Sequence, residues 1–176
     1  HILREGYLPK LLRGTVYESP RFDHFLEDRF QLGDLFLLAG HRENSGDVAG
    51  FAQVIQTESA LHLNHLVVRS AARGSGLGAV LLENVISRAD AAKKKVTLDV
   101  DSRNEPAVRL YNKMGFRVEN EMQAAMIGRK YGSIPLNWLD KNADYKRYGF
   151  CYIEQPFSWG SVKIGVVGLQ TIRLVA

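Results

Sequence analysis

Apolar residues recur at helical spacing in some stretches of this chain and alternate with polar ones in others. From Arg21 to Leu32, Phe22, Phe25, Leu26 and Phe30 share one helical face, and Gly33 is a natural stop. Asp34 to His41 then predicts a strand. Glu43-Asn44-Ser45-Gly46-Asp47 predicts a turn, and Val48 to Gln56 the returning strand. Ala60 to Arg69 is the strongest strand pattern. Ser70 to Gly78 is rich in Gly, Ala and Ser, and it opens a helix over Ala79 to Ala92 with Leu81, Leu82, Val85, Ile86 and Ala89 on one side. Lys93-Lys94-Lys95 breaks out to solvent, and Val96 to Val100 alternates as a strand. Glu105 to Met114 reads as a short helix, with Asn104 placed as N-cap and Gly115 just past the end.

The flanks are read more simply. Ile2-Leu3-Arg4 is the end of a first strand, and Tyr7 to Tyr17 has helical spacing interrupted by Pro9 and Gly14. Phe116 to Met126 and Tyr131 to Leu139 predict two strands joined through Ile127-Gly128-Arg129-Lys130. Asp140 to Arg147 reads as a polar linker. Tyr148 to Phe157 and Ser161 to Val175 predict two more strands, turned at Ser158-Trp159-Gly160.

Composition narrows the class. A chain of 176 residues, 45% hydrophobic and 24% charged, suits one globular domain, or one domain with an extension. Charge or Gly breaks every apolar run before membrane-spanning length, so no membrane partner is expected. No signal peptide is read. The one cysteine, Cys151, predicts a reducing, cytoplasmic setting and is read as a structural thiol. No cluster has metal-ligand spacing, so no metal is expected. The net charge of +4 is unevenly placed: residues 1–125 carry 16 basic against 16 acidic side chains, and residues 126–176 carry 7 against 3. That small excess does not identify a partner.

The sharpest local signal is Arg73-Gly74-Ser75-Gly76-Leu77-Gly78, between the strong strand and the strong helix. Glycines let backbone approach a ligand, and a helix start offers free N–H groups and a favourable dipole to phosphate oxygens. Gly74-x-Gly76-x-x-Ala79, with Asp99 some twenty residues on, formally fits a dinucleotide fingerprint. The context opposes it: Ser70 to Arg73 separate the strand from the glycines, and alternation leaves Asp99 inside a strand. The nucleoside-triphosphate loop is excluded, because no Lys-Ser/Thr follows the glycines.

A second segment bears on the ligand: Asn104-Glu105-Pro106-Ala107-Val108-Arg109-Leu110-Tyr111-Asn112-Lys113-Met114-Gly115-Phe116. Together the two segments resemble the GNAT superfamily of N-acetyltransferases. Arg73, Gly76 and Gly78 occupy the family's pyrophosphate-loop positions. Asn104, Ala107, Leu110, Tyr111, Gly115 and Phe116 match its Asn-x-x-Ala-x-x-Leu-Tyr-x-x-x-Gly-Phe segment, and Leu66 and Val68 match the preceding strand. The resemblance implies an α/β (α+β) fold with a mixed, largely antiparallel central sheet, helices on both faces and extra C-terminal strands. Residues 1–139 are then the acetyltransferase domain. Residues 140–176 are a β-rich extension, read as a homodimer contact or the start of a second domain.

The implied reaction is direct transfer from acetyl-CoA to a primary amine in a ternary complex. Leu66, Val67, Val68, Arg73, Gly74, Ser75, Gly76, Leu77, Gly78, Ala79, Asn104 and Tyr111 would bind the carrier, with the Val68 N–H polarising the thioester carbonyl. Spacing alone makes Tyr111 a core aromatic beside Ala107 and Met114; the resemblance makes it the acid for the departing thiolate, since a phenol stays protonated at neutral pH. His62 is the candidate base, because alternation groups it with Asn64, Leu66 and Val68 and sets His65 on the other face. Glu58 is the alternative. A catalytically silent CoA-binding module, or a tRNA-associated acyltransferase using the basic tail, are the other readings. Nucleic acid is otherwise not expected as a partner, and the identity of the acceptor amine is not legible.

Overall fold

The computed structural model describes residues 15–40, 48–121, 124–128, 141–158, 160–167 and 171–175. The segments Ile2 to Arg4, most of Tyr7 to Tyr17, Glu43 to Asp47 and Tyr131 to Leu139, with Trp138 and Trp159, lie outside them. The described elements are α1 (Phe22–Gln31), β1 (Leu35–Gly40), β2 (Val48–Gln56), β3 (Ala60–Val68), α2 (Leu77–Ala91), β4 (Lys95–Leu98), α3 (Glu105–Lys113), β5 (Ala124–Gly128), α4 (Ala143–Tyr148), β6 (Phe150–Phe157), β7 (Gly160–Val167) and β8 (Thr171–Val175). They fall into two compact units. One contains residues 29–117, the other residues 15–28 and 118–175. The division falls at 28/29 and 117/118.

The first unit is a four-stranded sheet in the order β1-β2-β3-β4. β1 pairs with β2 and β2 with β3 antiparallel, while β3 and β4 are parallel. Cross-strand partners share a face of a sheet, which separates the two surfaces. One face carries Leu35, Leu37 and Ala39 of β1, Gly50, Ala52 and Val54 of β2, Leu61, Leu63, Leu66 and Val68 of β3, and Val96 and Leu98 of β4. Helix α2 covers it. Leu81, Leu82, Val85 and Ala89 recur at helical spacing and are buried against Ala52, Val54, Leu61 and Leu63. Burying each of the larger side chains contributes about 1.5–3 kcal/mol. Leu110 and Tyr111 of α3, and Met114 at its C-cap, pack against the same cluster. On the opposite face the last turn of α1 meets the sheet: Phe30 packs edge-on to Phe36 at 5.7 Å, and Arg29 pairs with Asp34.

The register of β2 against β3 shifts by one residue. Gln53 pairs with His65, but its neighbour Val54 pairs with Leu63. Asn64 is therefore the extra residue of a β-bulge, and Gln53 faces both Asn64 and His65. Straight alternation predicted His62 beside Leu66 and Val68. The bulge reverses this: His62 and His65 lie on one face, and Leu66 and Val68 on the other.

The second unit holds the antiparallel sheet β5-β8-β7-β6. What reads in sequence as one strand from Ser161 to Val175 is two, and β8 lies between β5 and β7. Phe116 to Glu121 are not strand, and the described strand of this stretch is Ala124–Gly128. The polar stretch read as a linker contains α4, capped by Asn142 Oδ1 accepting from the Tyr145 N–H at 2.9 Å. Within this unit Phe22 and Phe25 of α1 pack on Phe150. The Arg147 guanidinium and the Tyr148 hydroxyl both bond Asp28, holding its carboxyl down at about 2. Cys151 is buried beside Val166 and Tyr145, and burial pushes its thiol up.

Candidate active site

The strand before the glycine loop has one edge open. β3 and β4 pair only from Ala60↔Lys95 to Leu63↔Leu98. Beyond Leu63 no described strand lies along that edge of β3. Adjacent residues of a strand direct their N–H and C=O groups to opposite edges. The Arg69 N–H bonds the Ala49 carbonyl in β2 at 2.8 Å, so the Val68 groups point the other way. Arg73 Nε donates to the Val68 carbonyl at 3.4 Å on that side. The N–H groups of Leu66 and Val68 therefore both face the open edge.

A one-turn 3-10 helix, Ser70–Ala72, carries the chain from β3 to the loop. Gly74 and Gly76 have φ of +76° and +84°, in the left-handed region, and an added Cβ at either would meet nothing within 4 Å. Backbone conformation, and not crowding, asks for glycine there. Ser75 Oγ donates to the Ala72 carbonyl at 2.7 Å and ties the loop back. Gly76 is the N-cap of α2 and has no side-chain cap, and the first turn holds no acidic residue. The first α2 hydrogen bond runs from Val80 N to Gly76 O at 3.1 Å, which leaves the N–H groups of Leu77, Gly78 and Ala79 without helical acceptors. With the positive end of the helix dipole and the Arg73 side chain, this is a cradle suited to a pyrophosphate. The Arg69 Nε is also buried without a hydrogen-bond partner in the described structure.

Gly50 is a residue that sequence reasoning missed. A Cβ there would stand 2.8 Å from the Val67 carbonyl oxygen and 3.3 Å from Leu77 Cδ2. Its bareness lets the start of α2 close onto β2. The loop end also meets α3, since a Cβ on Gly78 would touch Leu110 at 3.4 Å and Val68 at 3.7 Å. Tyr111, next along α3, is half-buried on the Leu66 and Val68 side of the sheet, with its ring 5.8 Å from that of Phe116. Asn104 stands at the N-cap position of α3, yet its side chain makes no capping bond.

His62 occupies the other face. Its Nδ1 lies 3.1 Å from Thr97 Oγ1 of β4, and its Nε2 lies 4.0 Å from Asp99 Oδ2. Asp99 lies just past the end of β4, which stops at Leu98, and not inside a strand as alternation suggested. Glu58 is exposed in the turn that precedes β3. At about 3.3 Å per residue it lies roughly 30 Å from Val68, at the wrong end of the strand. His65 is buried, and burial holds its imidazole down at about 4. Asn64 Nδ2 reaches its Nε2 at 3.2 Å.

A polar chain backs this face. Arg29 donates to Asp34 through Nε and an Nη at 2.8 and 2.6 Å. Gln53 Nε2 donates to the same carboxylate at 2.7 Å, and Asn64 Nδ2 donates to Gln53 Oε1 at 3.2 Å. Gln53 is 0% exposed and the Asp34 side chain 5%. Leaving one such buried group without its partner costs about 1–3 kcal/mol.

Comparison with known proteins bears on the family and the fold. The family model for the acetyltransferase (GNAT) domain matches residues 21–127. The chain belongs to the GNAT acetyltransferase family. It is 32% identical over 81 residues to the peptidyl-lysine N-acetyltransferase YjaB of Escherichia coli, covering 46% of this chain and 52% of that protein. It is 32% identical over 83 residues to the 5-NmdU N-acetyltransferase of Pseudomonas phage PaMx11, covering 45% and 56%. The chain thus spans about half the length of these relatives. Among solved structures, a GNAT family acetyltransferase from Elizabethkingia anophelis with acetyl-CoA bound superposes with TM-score 0.50 at 15% identity, over 96% of this chain and 90% of that one. That likeness is one of fold.

Proposed function

We propose that this chain is an N-acetyltransferase that uses acetyl-CoA as co-substrate and passes the acetyl group directly to a primary amine in a ternary complex. One observation carries the reading: an uncapped helix start behind two left-handed glycines stands next to a strand edge whose N–H groups are open. The backbone from Gly74 to Ala79 would hold the pyrophosphate, with Arg73 at its mouth. Asn104, whose side chain makes no capping bond, would add a contact. The Val68 N–H would polarise the thioester carbonyl, a preorganised donor of the oxyanion-hole kind.

The reaction forms a C–N bond and breaks the C–S bond, so one proton leaves the amine and one reaches the sulfur. Tyr111 and His62 lie on opposite faces of the sheet, His62 four residues before Leu66 in the stretch of β3 that still pairs with β4. That suits a departing thiolate on the Tyr111 side and an entering amine on the His62 side. In the tautomer whose Nδ1–H donates to Thr97 Oγ1, the Nε2 of His62 would keep a lone pair to take the amine proton through water. Glu58 is too far along the strand for this task. A lysine side chain, the class of acceptor named for the YjaB relative, is the first amine to try. The buried, unbridged Cys151 fits a reducing, cytoplasmic setting.

The test is acetyl-CoA titration by calorimetry, followed by an amine panel read by mass spectrometry. Micromolar to millimolar binding and transfer to at least one amine are expected. Absence of binding overturns the reading. Binding without transfer to any amine would mark a silent carrier-binding module instead. Tyr111→Phe should lower turnover by roughly 10²-fold and leave carrier affinity nearly unchanged; an unchanged rate removes Tyr111 from the acid role.

A further inference from the structure

The bulge at Asn64 decides which backbone groups of β3 face the open edge. In a regular strand, the residues whose side chains share a face also direct their N–H groups to the same edge. Leu61 and Leu63 face α2, so an uninterrupted β3 would put His65 and Val67 on that face and turn their N–H groups to the open edge. The inserted residue shifts the pattern by one and turns Leu66 and Val68 there instead. The position of the bulge is therefore a determinant of the carbonyl-polarising site.

Hydrophobic pattern does not hold the bulge in place, because burial alternates straight through it from Ala60 to Val68. Polar chemistry does. Gln53, opposite the bulge, has its carboxamide engaged at both ends, by Asp34 at 2.7 Å and by Asn64 at 3.2 Å. Asp34 is in turn gripped by the Arg29 fork. If the bulge slid one residue toward Leu63 with the flanking pairs kept, Asn64 would lie opposite Val54, and the buried Gln53 carbonyl oxygen would lose its partner.

We infer that Gln53 is a positioning residue for acyl transfer: through Asn64, with the Arg29–Asp34 pair behind it, it locks the bulge that turns the Leu66 and Val68 N–H groups to the open edge, where the Val68 N–H would meet the reacting carbonyl. This rests on the acetyltransferase reading for its catalytic half. The structural half, that Gln53 fixes the β2–β3 register, stands by itself.

The experiment uses the whole chain and three variants: Gln53→Met, close in volume and without hydrogen bonds, Asn64→Ala, which cuts the same link from the less buried side, and the double variant. Expected are a kcat reduced at least 30-fold in each, an acetyl-CoA dissociation constant within threefold of wild type, and a double variant no worse than the more impaired single. Backbone NMR of the unliganded proteins should show the Gln53↔His65 and Val54↔Leu63 pairings shifted or averaged in the variants. Folded variants that keep kcat within twofold overturn the proposal while leaving the acetyltransferase reading intact. Separate, additive losses in the double variant overturn it too. If the wild type transfers nothing to any amine, the acetyltransferase reading fails, and NMR alone decides the structural half: an unchanged register in Gln53→Met overturns it, and a shifted one supports it.

Discussion

Gly50→Ala is a one-methyl test of how the sheet and the glycine loop are joined. The new Cβ would lie 2.8 Å from the Val67 carbonyl oxygen, where ordinary contact begins near 3.4 Å, so about 0.6 Å of separation must be found. Two neighbours, Leu77 Cδ2 at 3.3 Å and Leu81 Cδ1 at 3.4 Å, can give by small side-chain rotations. The carbonyl cannot, because Val67 is fixed in the ladder opposite Phe51. Overpacking of this kind costs about 1–3 kcal/mol. The lower chain entropy of the unfolded alanine protein returns about 0.4–1 kcal/mol. The net expectation is a loss of about 1–2 kcal/mol, read as a lower urea midpoint at unchanged slope. Turnover should fall as well, since Val67 sits between the two residues whose N–H groups face the open edge. A variant as stable as wild type, with unchanged turnover, would show that β2 and α2 separate freely and refute this account of Gly50.

Three further outcomes are expected. Burial holds His65 at about 4 against 6.5 when unfolded, so between those values the unfolded chain binds the extra proton. Its contribution is complete above pH 6.5, falls by about 3 kcal/mol as pH drops to 4, and is flat below; denaturant midpoints taken across pH 7.5–3.5 should trace that slope. Leu82→Ala, at a fully buried position in the middle of α2, should cost about 2–5 kcal/mol in urea unfolding. Gly76→Ala meets no steric obstacle but keeps a left-handed φ of +84°, so about 1–2 kcal/mol of strain should appear as a tilted loop and weaker acetyl-CoA binding by calorimetry.

The elements of the first unit were legible because each has one dominant signal. The stripe from Leu81 to Ala89 gave α2, the run from Ala60 to Val68 gave β3, and the glycine spacing gave the loop. The bulge was not legible, because an inserted Asn followed by a buried His continues the same alternation of exposure that a regular strand shows. Gln53 was missed for a related reason. A polar residue in a strand reads as solvent-facing, and only the three-dimensional meeting of Asp34 and Asn64 lets a carboxamide be buried there. α4 was taken for a linker because six mostly polar residues show no apolar stripe. Asp99 was misplaced because alternation carries on past the point where β3 stops providing a partner.

The strand order of the second sheet has a consequence for the timing of folding. β8, residues 171–175, lies between β5 and β7 and not at an edge. As the polypeptide is synthesised, β5 waits for its described partner β8 until nearly fifty further residues have emerged. Residues 15–28 wait longer still, since their unit is otherwise built from residues 118–175. Residues 29–117 can meanwhile collapse as they appear, with mostly nearby pairings. Vectorial synthesis should therefore yield residues 29–117 first, and release of the chain before β8 should leave β5 without its described partner and open to aggregation.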